Sequence, residues 1–391
     1  MPEKTERDYE ALCIAYLEEL IRINTVNAPG NEAACARRIR ELMEQEGIPC
    51  HLQEIQPGRA NLYSDVLPCA NGDAPAILLS GHMDTVPAAD GWDSDPFVLT
   101  DRGDRYTGRG TCDMKGGLAC MMAAAVWAKD HQQKVPFRLA FVIDEEIWGL
   151  GTKEFCRTKI LDPVRFAVIG EPTENRLHIA HRGCIRYNVT ITGKSGHAGK
   201  PHLCADPVYG AAVAARAVEA VCRDLKVVKH EVLPAPTMCV TGIHAGIKDN
   251  VVPEVCTMTI DSRPGIGDTA EKFRSLILDK IRELGGMPEG MTLSIEPYID
   301  VTAADVDKSS DCVRTCLRAY REVFGEEALM EAFPACCDQT YFKAAGVDSL
   351  LYGPGSIDQA HTANEFVKKS ELRKCFRFYA SLLRSDKELE I

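Results

Sequence analysis

The sequence lacks an excess of positive charge, a long apolar run and a paired-cysteine motif, and each absence removes a class of function. Lys and Arg number 45 against 57 Asp and Glu, for a formal net charge of −12. Binding to a nucleic-acid backbone requires a clustered basic surface, so a nucleic-acid partner is not expected, and the acidity serves solubility. No apolar stretch is long enough to span a bilayer. The start, Met1-Pro2-Glu3-Lys4-Thr5-Glu6-Arg7-Asp8, is polar and has no apolar centre like that of a signal peptide. A cytoplasmic location without a membrane partner is the expectation. The 17 cysteines are scattered without a Cys-x-x-Cys pair, which points to neither a disulfide framework nor a thiolate zinc site. Several, such as Cys120, Cys222 and Cys256, fall in apolar segments and read as small buried hydrophobes.

Nucleotide and serine-hydrolase motifs are missing too. Gly108-x-Gly110 is followed by Asp113 where a third glycine is needed, and Gly193-Lys194-Ser195 has Asn188 in place of the earlier glycine of a P-loop. Ser195-Gly196 runs into His197 rather than completing a Gly-x-Ser-x-Gly elbow, and there is no His-Glu-x-x-His. Internal repeats and low-complexity tracts are also absent.

What is present suits a two-domain α/β protein. At 391 residues the chain exceeds the size at which a single core stops growing. Apolar positions at helical spacing mark a helix over 8–23, and a second helix is predicted from Glu32 to Glu46, stopped by Gly47. The runs at 76–80, 138–143 and 166–169 read as buried strands, with an apolar helix from Met114 to Ala128 between two of them. Such alternation implies a mostly parallel, helix-covered sheet. Near Cys184 the pattern changes to a half-exposed strand (185–192), a helix (207–222), strands at 237–243 and 255–262, a helix (270–284) and a strand (291–296). This βαββαβ order predicts an inserted α+β, ferredoxin-like domain with helices on one face of an antiparallel sheet. The expected boundaries are 1–183 and 298–391 for the two parts of the main domain and 184–297 for the insert. Leu350-Leu351-Tyr352 reads as a strand returning to the main sheet.

Polar residues of ligand type cluster where apolar strands end. Ala76-Ile77-Leu78-Leu79 runs into Ser80-Gly81-His82-Met83-Asp84, and the carboxyl end of such a strand is where open α/β sheets place ligands. In an extended segment His82 and Asp84 point the same way, so one can bind a metal while the other orients it. Four more stretches have this look: Gly108 to Gly117 with Asp113, Asp144-Glu145-Glu146, Gly170-Glu171-Pro172-Thr173, and Gly353 to His361. Singly, each has a plainer reading. Asp113 could cap a helix, the acidic triplet could be a solvated turn, Glu171 a loop charge and His361 a packed histidine. Together, two His, one Asp and two Glu form a ligand set for borderline divalent metals, and a carboxylate left over can accept a proton from water.

These motifs, taken over nearly the whole chain, resemble the dinuclear zinc amidohydrolases and peptidases that include acetylornithine deacetylase, succinyl-diaminopimelate desuccinylase, aminoacylase and glutamate carboxypeptidase. The resemblance implies that His82, Asp113 and Glu171 hold one zinc and that Asp113, Glu146 and His361 hold the other, with cobalt or manganese as alternative metals. It implies Asp84 as the residue orienting His82 and Glu145 as the general base. The insert would be the family's lid and dimerisation domain, so a homodimer is expected. Within it, Ser195-Gly196-His197-Ala198-Gly199 matches the motif whose histidine reaches a partner subunit's site, and Asn250 and Arg263 match positions that bind the substrate carboxylate. Gly355 falls among the substrate-binding positions. The implied activity is hydrolysis of the amide of an N-acyl amino acid, with a dipeptidase or carboxypeptidase as the alternative. A non-catalytic binding module of the same fold would be expected to have lost Glu145 or a ligand, and none of the six positions is altered. Gly353 to His361 looks most like acetylornithine deacetylase, whereas Asn364-Glu365 is shared more with the desuccinylase and carboxypeptidase branches. Cys337-Asp338-Gln339-Thr340 departs from the family's usual Gly-Thr-Asp-Ala type. Asp338 there could meet a substrate amine or stand as a solvated loop carboxylate.

Overall fold

The apolar run at 76–79 becomes the first part of a strand, Ala76–His82, that is buried at every position. This computed structural model describes residues 4–67, 75–147, 149–160, 162–228 and 230–384, so the first three residues of the polar N-terminal stretch lie outside it. On either side of Ala76–His82 lie Phe137–Val142 and Val164–Ile169, both parallel to it, with Leu79 opposite Leu139 and Val168. Ser349–Leu351 extends the parallel set, Leu350 facing Val168. The expectation of a strand at the end of the chain returning to the first sheet is met.

The edges of this sheet are antiparallel. Arg59–Leu67 pairs antiparallel with Phe137–Val142, and His51–Gln56 pairs antiparallel with Arg59–Leu67. Pro57-Gly58 joins those two edge strands directly, with Gly58 at φ +78°. A two-residue link can connect only antiparallel neighbours, which is why the sheet is mixed. Toward the other edge Leu177–His181 meets Ser349–Leu351 antiparallel.

The helix Lys115–Asp130 is apolar on nearly all sides because it is covered on both: it packs between the sheet and the helices Glu6–Ile21 and Lys369–Leu382. Gly117 lets it come close. A Cβ there would stand 2.5 Å from the Gly170 carbonyl oxygen, so helix and strand end meet backbone to backbone. The first helix begins at Glu6, two residues before the expected start, because the Asp8 carboxylate accepts the Thr5 backbone N–H at 2.7 Å.

The chain divides into two compact units. One is Met1–Ile179, Asp305–Phe333 and Cys337–Ile391, and the other is Ala180–Ala304 with Pro334–Cys336. The second unit carries a four-stranded antiparallel sheet in the order Thr237–Ala245, Val255–Arg263, Cys184–Thr192, Thr292–Val301. The alternation seen in 185–192 buries Ile185, Tyr187, Val189 and Ile191 on one face. Against that face pack the helices Pro207–Leu225 and Ala270–Glu283 through Ala214, Val218, Phe273 and Ile277. Their starts are written in the sequence: Asp206 accepts from Val208 N at 3.0 Å before Pro207, and Thr269 accepts from Lys272 N at 3.2 Å.

Candidate metal centre

The parallel strands of the first unit deliver the predicted residues to one end of the sheet. His82 closes Ala76–His82, Glu145 and Glu146 follow Phe137–Val142, Glu171 follows Val164–Ile169, and His361 lies in the loop after Ser349–Leu351. Asp113 comes from the loop that leads into Lys115–Asp130.

These side chains form two triads, His82 with Asp113 and Glu171, and Asp113 with Glu146 and His361. Within each triad the ligand-type atoms lie within 4.8 Å of one another. Asp113 belongs to both. Its Oδ1 is 3.1 Å from His82 Nε2 and its Oδ2 is 3.4 Å from His361 Nε2, so one carboxylate faces the two imidazoles with separate oxygens. His361 Nε2 is also 3.1 Å from Glu146 Oε2. His361 sits at φ +62° in its loop.

The charges in this cluster do not balance. Burial pushes Glu145 and Glu171 well above the usual carboxylate range, and the negative neighbours Glu171 and Asp113 respectively add to it. Glu146 is raised in the same direction, by burial and then by Asp113. Asp113 is the exception: burial opposes ionisation, but the imidazoles of His361 and His82 outweigh it and hold the carboxyl low. In return, hydrogen bonds to Asp113 and Glu146 raise His361 to about 10. Oε1 of Glu146 and Oε1 of Glu171 are buried without a hydrogen-bond partner. Crowded carboxylates with unpaired oxygens beside two imidazoles fit divalent cations, whose charge would take the place of the retained protons.

Asp84 holds this end of the sheet together. His82 Nδ1 lies 2.9 Å from the Asp84 backbone carbonyl and 3.5 Å from its carboxylate, so the backbone makes the closer orienting contact. The Asp84 carboxylate accepts from the backbone N–H groups of Glu145 and Glu146, both at 3.2 Å, and from Asn27 Nδ2 at 2.9 Å. Glu145 keeps 15% of its side chain exposed and places Oε2 4.0 Å from His82 Nε2. It stands beside the triads and belongs to neither.

Gly355 has φ +84°, and a Cβ there would come within 2.8 Å of Cys112 Cβ, which fixes the loop against the segment carrying Asp113. Asp338 is buried and accepts the Thr152 hydroxyl at 2.5 Å. Its burial rules out the reading of a solvated loop carboxylate, and it lies near enough to Glu145 and Glu171 for its charge to act on both.

The remaining predicted residues lie in the second unit. His197 is exposed in a short strand opposite Val251, and its Nδ1 accepts the Gly199 N–H at 2.9 Å. Asn250 is exposed, and its carbonyl accepts the Ala198 N–H at 3.1 Å. The Arg263 guanidinium is paired with Asp261, two residues before it, at 2.9 and 3.3 Å. A ligand carboxylate at Arg263 would compete with Asp261.

Sequence reading missed Asn27, Arg109 and Thr152, and it read Glu365 only as a branch marker. Asn27 has no local signal, since its partners Asp84 and Asp144 are remote in sequence.

A model of peptidase family M20/M25/M40 matches residues 78–385. The chain is 26% identical over 384 residues to an acetylornithine deacetylase of Aliivibrio salmonicida, covering 94% of this chain and 97% of that one. It is 27% identical over 389 residues to a probable succinyl-diaminopimelate desuccinylase of Staphylococcus epidermidis, covering 91% and 93%. Its fold is similar to that of the Bacillus subtilis YXEP protein, described as a dinuclear metal binding peptidase, with a TM-score of 0.69, 15% identity and coverage of 96% and 98%.

Proposed function

The chain belongs to peptidase family M20/M25/M40, and from that premise we propose that it hydrolyses the amide bond of an N-acyl amino acid with a pair of divalent cations. His82, Asp113 and Glu171 hold one cation and Asp113, Glu146 and His361 the other, with zinc as the metal that this mix of imidazole and carboxylate suits. Bound there, the cations supply Lewis acidity to the scissile carbonyl and acidity to water.

Glu145 is the general base. It is free of both triads and partly open beside them, so it can take a proton from the attacking water and return it to the leaving amine. Asp84, by gripping the Glu145 and Glu146 amides, keeps the base and a ligand in register. The inserted stretch 184–297 acts as lid and dimerisation domain. There His197 stabilises the tetrahedral oxyanion in a partner's site, while Asn250, Arg263 and, from the first unit, Gly355 bind the substrate. The edge strand Thr237–Ala245 with exposed Ile243 supports a second copy as partner.

The observation that carries the reading is Asp113 facing both imidazoles with Glu145 beside it. Acetyl and succinyl groups lead the list of acyl groups because the relatives named above are a deacetylase and a probable desuccinylase. Dipeptides are the second class to test. The experiment is metal analysis with a hydrolysis screen over N-acetyl amino acids, N-succinyl amino acids and dipeptides. Activity that survives both exhaustive chelation and Glu145→Gln overturns the mechanism.

A further inference from the structure

Glu365 is a completely buried carboxylate that none of the chemistry above uses. Its Oε1 accepts the backbone N–H groups of Cys112 at 2.8 Å and Asp113 at 3.1 Å. Its Oε2 accepts the Gly110 N–H at 3.1 Å and Arg109 Nη1 at 2.6 Å. Four donors on one carboxylate leave it little freedom, and three of them belong to the backbone that ends in Asp113.

Arg109 is buried as well, and its fork reaches further. Its Nη2 donates to the carbonyl of Pro87 and to that of Thr362, each at 3.2 Å, and the guanidinium stands over the Trp92 ring at 5.3 Å. Pro87 is in the loop that follows His82, and Thr362 is the residue after His361. One ion pair therefore joins the loop that follows His82 to the loops that carry Asp113 and His361. A buried pair of this kind gives little net stability over an apolar substitute, so its value lies in the geometry it fixes.

We infer that Glu365 and Arg109 are positioning residues that preset the shared ligand Asp113, and that cation affinity at both triads depends on them. The inference rests on the reading of the triads as a metal site. The Asp113 N–H fixed by Glu365 and the Asp113 side chain share one Cα, so a slip of the 110–113 backbone moves both carboxylate oxygens off the imidazoles together. An amide at position 365 would turn an NH2 toward donors that need an acceptor, and a lysine at 109 would keep the charge but lose the fork that reaches Pro87 and Thr362.

The test is calorimetric titration of chelator-stripped protein with zinc ions for the wild type, Glu365→Gln and Arg109→Lys, with the thermal midpoint of each metal-free protein recorded alongside. Weaker zinc binding by about 10- to 100-fold at both steps is expected in each variant, the range found when outer partners of metal ligands are removed. Cobalt(II) loading should also give an altered visible spectrum. Unchanged zinc affinities in folded variants, even with a lowered midpoint, overturn the inference and leave a merely structural pair. If Glu365→Gln gives no folded protein, Arg109→Lys decides alone. Wild-type protein that takes up no zinc instead refutes the reading of the site as a metal centre, a result distinct from the first.

Discussion

The carboxylate of Asp84 accepts the backbone N–H of Glu145 at 3.2 Å, and with its other oxygen that of Glu146 at the same distance. Asp84 thereby sets the position of a proton-transfer group and a ligand at once. Asp84→Asn replaces one acceptor with a donor facing an N–H. The expected result is a fall in kcat of about 10- to 100-fold with the fold intact by circular dichroism. A variant with wild-type kcat would show that the two amides hold their place without it.

Glu145→Gln separates base chemistry from metal binding. Because Glu145 lies outside both triads, the variant should bind its full complement of cations while kcat falls by about 10²- to 10⁴-fold. Metal content by emission spectroscopy and steady-state kinetics on the same sample check this, and loss of metal together with activity would contradict it.

Removing the cations should destabilise the protein. Glu146 and Glu171 each keep a buried oxygen without a partner, and burial, with the charge of Asp113 beside them, raises both carboxyls. Zinc restored at about a hundredfold excess over its Kd should add about 2.7 kcal/mol to the unfolding free energy. Urea unfolding of stripped protein with and without zinc measures it, and coincident curves would count against metal binding.

Asp338 gives a pH signature in metal-free protein. Burial, ahead of the charges around it, raises its carboxyl from 3.8 to about 6, against the opposing hydrogen bond from Thr152. The folded state thus holds this proton more tightly than the unfolded one, and stability drains away as pH rises through roughly 4 to 6. Asp338→Asn keeps an acceptor for Thr152 and removes the titration. Its urea midpoint relative to wild type should rise between pH 4.5 and 7, and a constant difference would refute the assignment.

Gly117→Ala tests the close approach of helix and strand. The added methyl would stand 2.5 Å from the Gly170 carbonyl oxygen, next to Glu171, and backbone cannot step aside as a side chain would. A loss of about 1–3 kcal/mol in unfolding free energy is expected, with weaker zinc binding through Glu171.

The parallel centre of the first sheet was legible because burial on both faces demands uninterrupted apolar runs, and Ala76–Leu79 and Phe166–Ile169 are such runs. For the same reason His82 and Glu171 stood out as polar residues where a run stops. The edge hairpin was not legible, since His51–Gln56 is half exposed and carries no clear alternation. The supports of the site were hidden for a different reason. Asn27 and Arg109 act on partners far away in the chain, so no local spacing marks them. Arg263 shows what a motif leaves out: its type suits a carboxylate ligand, and the structure adds that Asp261 accepts from its guanidinium.

The strand Ser349–Leu351 lies between Val164–Ile169 and Leu177–His181, segments made long before it. During synthesis the ribosome must therefore release the final strand and the loop with His361 before the first sheet can close. A nascent chain truncated before that point holds at most one triad, so the second cannot assemble until the loop with His361 has left the ribosome.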